Sequence, residues 1–376
     1  MRLLMVSGDR QTAVGEKGPF WAMQREFSRH FERIDVLCPR PESQPSVATI
    51  HERVHLHPSD GPRSKMASWI VRTGAEIVAA HRPALIVSHD YGWFYNGVGS
   101  ARLSRRTGVP YLSEIHHVPG VPFAASLRER FDRGVARRYV RWARDRAIAF
   151  RVVNATEMPQ LLARWGVPRE KILVLPSLYI DLDVFRPGSD PESAFDQDVV
   201  FVGRMVANKG LERIVDALAL LAGRGTRLSA LFVGRGPRLE STRERALRRQ
   251  VDARFVEWVE TPADLARIYR RSRVCVCASG CEGGPRFTVE AMACGTPVVS
   301  TPVGVMGDLL AGGAGGRLAG FDVDSLADAI GTVLVDEDAR AALGARAVAV
   351  GRRFEQSAAI RTYAEGLQGL VAGSAR

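Results

Sequence analysis

Two stretches of this chain hold residue types whose spacing could do chemistry. In VVFVGRMVANKGLERIVDAL an apolar run ends at Gly203, a loop carries Arg204 and Lys209, and Gly210 leads into a segment of helical period. The first turn of a helix presents unpaired N–H groups and the positive end of its dipole, so anions are favoured there. Arginine offers a planar two-pronged donor and lysine a compact charge, a pair that suits a diphosphate. A single loop cation is most often merely solvated. Lys209 changes the odds, because Lys17, Lys65, Lys171 and Lys209 are the only four lysines, against 48 arginines.

The second stretch is CEGGPRFTVEAMACGTPVVST. Gly283 and Gly284 allow a tight turn with exposed backbone, and Pro285 is placed for the first position of a helix. Gly295 falls just past that helix, where a left-handed cap residue belongs. Glu282 is then in the loop and Glu290 inside the helix. A glycosidase would hold two carboxyls roughly 5–9.5 Å apart. Eight residues of helix rise about 12 Å, so the pair fits two ends of one long ligand better than a hydrolytic dyad.

Both stretches need a scaffold that places strand ends beside helix starts. Short apolar runs alternate with amphipathic helical stretches throughout the 376 residues, the pattern of parallel sheets wound with helices. RLLMVS, RIDVLC, ALIVSH, VPYLSEI, FRVVNA and ILVLPS form one series of strand candidates; VVFVG, SALFVG, RFVEWV, VCVCAS and PVVST form a second. Between the first two of the second series, Leu211, Ile214, Val215, Leu218 and Leu221 repeat as a buried helix face does. Two series imply two doubly wound domains, residues 1–180 and 181–355. FRPGSDPESAFDQD marks the boundary at about 180–197, and a C-terminal helix, 356–376, is expected to rejoin the first domain.

The match now reaches a family. The run from Asp198 to about Gly320 resembles the retaining glycosyltransferases of family 4, which have the GT-B fold: two Rossmann-like domains facing a central cleft. The resemblance rests on Gly-Arg then Lys-Gly after the domain's first strand, on Glu282, seven residues and Glu290, and on AMACGTPVV. FVGRGP and DLARIYRRS fit as well. It implies sugar transfer with retention from a nucleotide-diphosphate-sugar, in glycan, polysaccharide or glycolipid assembly. By resemblance, Arg204 and Lys209 grip the donor diphosphate, with Gly18, in the loop Gly15–Gly18, facing it. Glu282 lies near the transferred sugar, Gly283, Gly284 and backbone amides near Arg286, Phe287 and Thr288 meet the donor, and Glu290 binds its ribose. In VPYLSEIHH the register assigns the sugar-side histidine to His116 rather than His117. The resemblance implies no metal and no cofactor beyond the donor, which is a substrate. Two departures border the cleft: Ser177, Leu178, Tyr179 and Ile180 stand where the family has Asn-Gly-Val before Asp181, and Asp308 stands where it has Glu.

Rival chemistries are less well served. A metal-dependent transferase would need Asp-x-Asp. Asp322-Val-Asp324 precedes Ser325 and Asp328, which read as a capping box, and Asp181-Leu-Asp183 sits at the domain junction away from a phosphate loop. A dehydrogenase would need G-x-G-x-x-G, which neither Gly8, Gly15 and Gly18 nor Gly234-x-Gly236 supplies. A sugar-nucleotide epimerase on the same fold stays open, although the paired glutamates favour transfer. Cys38, Cys275, Cys277, Cys281 and Cys294 include no C-x-x-C pair and read as small buried hydrophobes.

Charge locates a partner. Residues 1–178 hold 27 basic and 16 acidic residues, the whole net charge of +11; the remainder is neutral. Arg128, Arg130, Arg133, Arg137, Arg138, Arg141, Arg144, Arg146 and Arg151 face only Glu129, Asp132 and Asp145, and Phe131, Val135, Tyr139, Trp142 and Phe150 are interleaved with them. A solvated helix face is the bland reading. The functional one is peripheral contact with an anionic membrane, with a lipid-linked or otherwise anionic acceptor. A basic nucleic-acid-binding protein is the non-enzymatic alternative, but no groove- or base-reading motif accompanies the charge, so no nucleic-acid partner is expected. The apolar stretch in MRLLMVSGDRQ is short for a signal peptide, and the uncharged run 291–307 is broken by Gly295, Pro297, Pro302 and Gly304. A cytoplasmic location, at the inner membrane face if the basic surface docks there, is expected.

Overall fold

The computed structural model describes residues 1–175, 177–188 and 195–374. The first sheet contains β1 (Arg2–Val6), β2 (Arg33–Cys38), β3 (Thr49–Ile50), β4 (Val54–Pro58), β5 (Leu85–His89), β6 (Tyr111–Glu114), β7 (Ala149–Val152) and β8 (Ile172–Val174). Its order is β3-β4-β2-β1-β5-β6-β7-β8, parallel except for β3. The second contains β9 (Gln197–Val202), β10 (Ser229–Val233), β11 (Asp252–Val256), β12 (Ser272–Cys277), β13 (Val298–Ser300) and β14 (Gly316–Leu318), all parallel in the order β11-β10-β9-β12-β13-β14. Helices cover both faces, which is why the central strands read as continuous apolar runs: Leu3, Leu4, Met5 and Val6 are all fully buried.

In the first half the helices are α1 (Pro19–Phe27), α2 (Met66–His81), α3 (Tyr95–Thr107), α4 (Leu127–Ala143) and α5 (Glu157–Arg164). In the second they are α6 (Leu211–Gly223), α7 (Leu239–Arg248), α8 (Pro262–Arg270), α9 (Arg286–Ala293), α10 (Val305–Leu309), α11 (Val323–Leu334) and α12 (Glu337–Gly351), with α13 (Gln356–Ser374) closing the chain. The α6 face expected from its spacing, Leu211, Ile214, Val215, Leu218 and Leu221, is buried. Helix α13 crosses back: Ile360, Tyr363, Ala364 and Leu367, spaced i, i+3, i+4, i+7, pack with Leu3, Met5 and Leu112 of the first sheet. The boundary expected at 180–197 is seen only at its ends, since residues 189–194, like Pro176, lie outside the described residues.

The structure corrects three local expectations. The aromatic residues of α4 are not a free apolar face. Ala136, Tyr139, Val140 and Ala143 repeat at i, i+3, i+4, i+7 and enter the domain core, where Phe150 also lies and against which Val135 and Trp142 pack. Leu127 and Phe131 stay exposed. Helix α11 is capped by Asp322, whose carboxylate accepts from Ser325 N–H at 2.7 Å, while Asp328 pairs with Arg224 at 2.6 Å. Pro285 is the residue before α9 rather than its first. All five cysteines are buried and free, and among the described residues no helix is long and apolar enough to cross a membrane.

Candidate active site

In a doubly wound sheet the loops leaving neighbouring strands in opposite directions open a crevice at the strands' C-terminal ends. In the second sheet β9 is that place, with β10 on one side and β12 on the other. The loop after β9 carries Arg204 and a single 3-10 turn, Ala207–Lys209; the loop after β12 carries Glu282. The sheet thus brings together the two stretches that the sequence singled out. Lys209 is buried, and its ammonium pairs with the Glu282 carboxylate. The Arg204 side chain is exposed and has no hydrogen bond or ion pair among the described residues.

Beside them lies a cavity of about 670 Å³, lined by Arg204, Arg286 and Glu290, by Val202, Val233 and Gly234 at strand ends, and by Trp258 to Pro262. Ala22 and Arg25 of α1 close it from the other domain. Glu290 is held by Arg286 Nε at 2.8 Å and Tyr269 Oη at 3.1 Å. Burial raises its carboxyl above the usual range, and those two partners oppose the shift. Asp181 also lines this cavity, contrary to the expectation that its Asp-x-Asp lies away from a phosphate loop; its carboxylate accepts from Asp183 N–H at 2.9 Å, which makes the motif a turn. Among the described residues no group of three or more His, Cys, Asp and Glu is arranged to hold a metal ion.

The two histidines part company. His116 opens into a separate cavity of about 250 Å³ with His89, Arg151 and Tyr363, and its buried Nε2 has no hydrogen-bond partner among the described residues. Burial, with Arg151 adding, lowers it to about 3, so its ring is neutral. His117 is exposed, and it lies within electrostatic reach of Glu282, Lys209 and Arg204. Gly283 touches the other domain directly: a Cβ there would lie 2.8 Å from the His116 carbonyl oxygen.

The remaining candidates are spread out. Gly18 is the extended residue before α1, and an added Cβ would meet only Gln11, at 3.7 Å. Phe287 packs edge-on against Phe201 at 5.6 Å in the core. Thr288 is fully buried, its hydroxyl bonded to the Pro285 carbonyl at 2.7 Å and its N–H to the same oxygen at 3.1 Å. Their side chains cannot reach a ligand, and only amides at the start of α9 remain for that purpose.

Comparison with known proteins agrees with this architecture. Residues 196–336 match the family model described as Glycosyl transferases group 1, and residues 20–177 match Glycosyl transferase 4-like domain. The chain is 29% identical to a D-inositol 3-phosphate glycosyltransferase of Frankia alni over 93% of its own length and 94% of that protein's. It is 32% identical to D-inositol 3-phosphate glycosyltransferase 1 of Catenulispora acidiphila, over 84% of this chain and 81% of that one. Among solved structures, the sucrose-phosphate synthase of Thermosynechococcus elongatus superposes with a TM-score of 0.79 at 21% identity, covering 99% of both chains. Anabaena HepE in complex with UDP and glucose gives 0.74 at 19%, covering 98% of this chain and 100% of that one. The GT-B architecture implied by the resemblance is the one observed.

Proposed function

The chain belongs to the group 1 glycosyl transferases, and on that footing we propose that it moves a sugar from a nucleotide-diphosphate-sugar to an acceptor with retention, in glycan, polysaccharide or glycolipid assembly. One observation carries the reading: Arg204, Arg286 and Glu290 converge on a single cavity of about 670 Å³, and Lys209 pairs with Glu282 on the loops beside it. The cavity suits a nucleoside, with the Glu290 carboxylate accepting from ribose hydroxyls. Arg204 and Lys209 would then meet the diphosphate and offset the charge that grows on it as the glycosidic bond breaks, without a metal. Glu282 would then supply the carboxylate that stabilises an oxocarbenium-like transition state. The relatives' UDP complexes support a nucleotide donor. A thermal-shift panel of UDP-, GDP- and ADP-sugars tests this, since a ligand that binds only the folded state raises the melting temperature by mass action. No shift with any of the three would refute it.

We further propose an anionic or lipid-linked acceptor and peripheral docking on an anionic membrane. The net charge of +11 lies in residues 1–178, the half that on this reading would receive the acceptor. The relatives are named for a phosphorylated acceptor, D-inositol 3-phosphate. With the inner face of α4 used in the core, docking would fall to its outward arginines together with exposed Leu127, Phe131 and Trp93, the two rings lying 6.0 Å apart. Each basic residue near such a surface contributes about 1 kcal/mol, screened beyond about 8–10 Å. Co-sedimentation with liposomes of rising anionic-lipid content should show salt-sensitive binding. Absence at low salt, or equal binding to neutral lipid, would leave α4 a solvated face.

A further inference from the structure

Two carboxylates cross the cleft in opposite directions. Asp308, on α10 of the second domain, accepts from the N–H of Ala155, two residues before α5, at 2.7 Å. Glu157, the first residue of α5 in the first domain, accepts from the N–H of Gly304 at the start of α10, at 3.4 Å. Neither helix start has a side-chain cap from its own N-cap residue, Thr156 for α5 and Gly304 for α10. Each domain therefore accepts a backbone N–H of the other: Gly304 N–H belongs to the start of α10, and Ala155 N–H to the loop before α5, whose own first turn is capped by Asn154 Oδ1 on Met158 N–H at 2.8 Å.

The clasp ends on the active-site loop. Val305 N–H bonds the Gly283 carbonyl at 3.1 Å. Gly304 has φ +51°, and a Cβ there would lie 2.2 Å from that same carbonyl oxygen and 2.6 Å from the Glu282 carbonyl oxygen. Gly283 in turn presses on His116, as described above. A path of contacts thus runs from the Glu157 carboxylate through Gly304 to the Glu282–Gly283 peptide and back to the first domain at the His116 carbonyl.

We propose that Glu157 and Asp308 are positioning residues: their reciprocal hydrogen bonds across the cleft hold it closed and set the Glu282–Gly283 backbone against the His116 carbonyl in the geometry needed for transfer. The proposal rests on Glu282 belonging to the reacting site; His116 enters only through its backbone carbonyl, which Gly283 meets. Neither carboxylate lines the cavity assigned to the nucleoside, so their contribution is to geometry rather than to donor contact. Small displacements at a reacting centre cost large factors in rate.

The test uses Glu157→Ala, Asp308→Ala, the double variant and Asp308→Asn in the full chain. Each alanine variant should lower kcat by about tenfold or more, and the double by no more than the worse single, because a two-sided clasp fails as a unit. UDP affinity by calorimetry should stay within about twofold, and the melting temperature should hold. Asp308→Asn keeps an acceptor oxygen for Ala155 N–H and should recover most of the loss. Small-angle scattering should show the alanine variants more extended than the wild type. Unchanged kcat, multiplying effects in the double, or a kcat loss that tracks lost melting temperature and UDP affinity would each overturn the clasp. If the wild type binds no nucleotide, the donor reading fails by itself, and scattering still decides whether the clasp closes the cleft.

Discussion

Lys209 and Glu282, 73 residues apart in sequence, form an ion pair at the crevice where the loops after β9 and β12 meet. Both side chains are largely withdrawn from water, whereas nearby Arg204 is exposed and unpaired among the described residues. Two variants that both remove a cation should therefore behave differently. Arg204→Ala should weaken UDP binding with the melting temperature unchanged. Lys209→Ala should weaken it and also lower the melting temperature, because Glu282 loses its paired cation in a partly enclosed position. Each charge-assisted contact is worth roughly 1.5–3 kcal/mol, or about 10- to 150-fold in Kd. Calorimetry and thermal denaturation on both variants check this; unchanged affinity in both removes the diphosphate assignment.

The two glutamates should separate in kinetics. Glu290 is fixed by Arg286 and Tyr269 at the wall of the nucleoside cavity, and Glu282 lies in the loop beside the lysine. Glu290→Gln should chiefly raise donor KM, and Glu282→Gln chiefly lower kcat. Arg286→Ala should resemble the first, since it frees the carboxylate it orients. Small, equal changes in kcat and KM for both glutamine variants would contradict the assignment.

Much of this was legible in the chain, and what was not has physical causes. The strands buried on both faces announced themselves as apolar runs. Strand β4, VHLHP, did not, because His55 and His57 break the run, and β3 and β14 are only two and three residues long. The helical period of α6 was plain, but in α4 the eye follows arginines and aromatics, while the buried face runs through Ala136 and Ala143. Lys209 and the paired glutamates could be singled out by type and spacing. The contacts across the cleft could not: Gly304–Glu157 and Ala155–Asp308 join residues about 150 apart, and only the folded cleft brings them together.

Activity should survive removal of divalent metals. Asp322 is occupied in capping α11, Asp324 lies near Arg224, and Asp181 accepts from its own turn, so neither Asp-x-Asp offers two free carboxylates at the cavity. Arg204 and Lys209 supply the positive charge instead. Transfer assayed after exhaustive chelation should match the untreated rate within about twofold. Loss of activity restored by Mg²⁺ or Mn²⁺ would count against it.

Asp90 gives a prediction for pH. Its carboxyl is buried at the end of β5, where burial raises it from 3.8 to about 7, although hydroxyls of Ser113, Tyr139 and Ser88 hydrogen-bond to it and oppose the shift. Between about pH 4 and 7 the folded chain then holds a proton that the unfolded chain has released, so this group's contribution to stability falls as pH rises through that window. His116, pushed down to about 3, acts in the opposite sense below its ordinary 6.5, so the wild-type profile alone mixes the two. The difference between Asp90→Asn and wild type isolates Asp90, because asparagine keeps an acceptor oxygen for the hydroxyls and cannot ionise. That difference should move in the variant's favour by up to about 1.4 kcal/mol per pH unit between pH 5 and 7, then level off. Urea denaturation at pH 5, 6, 7 and 8 measures it. A gap that stays constant across the series would mean that the Asp90 carboxyl titrates in the folded chain near its ordinary value.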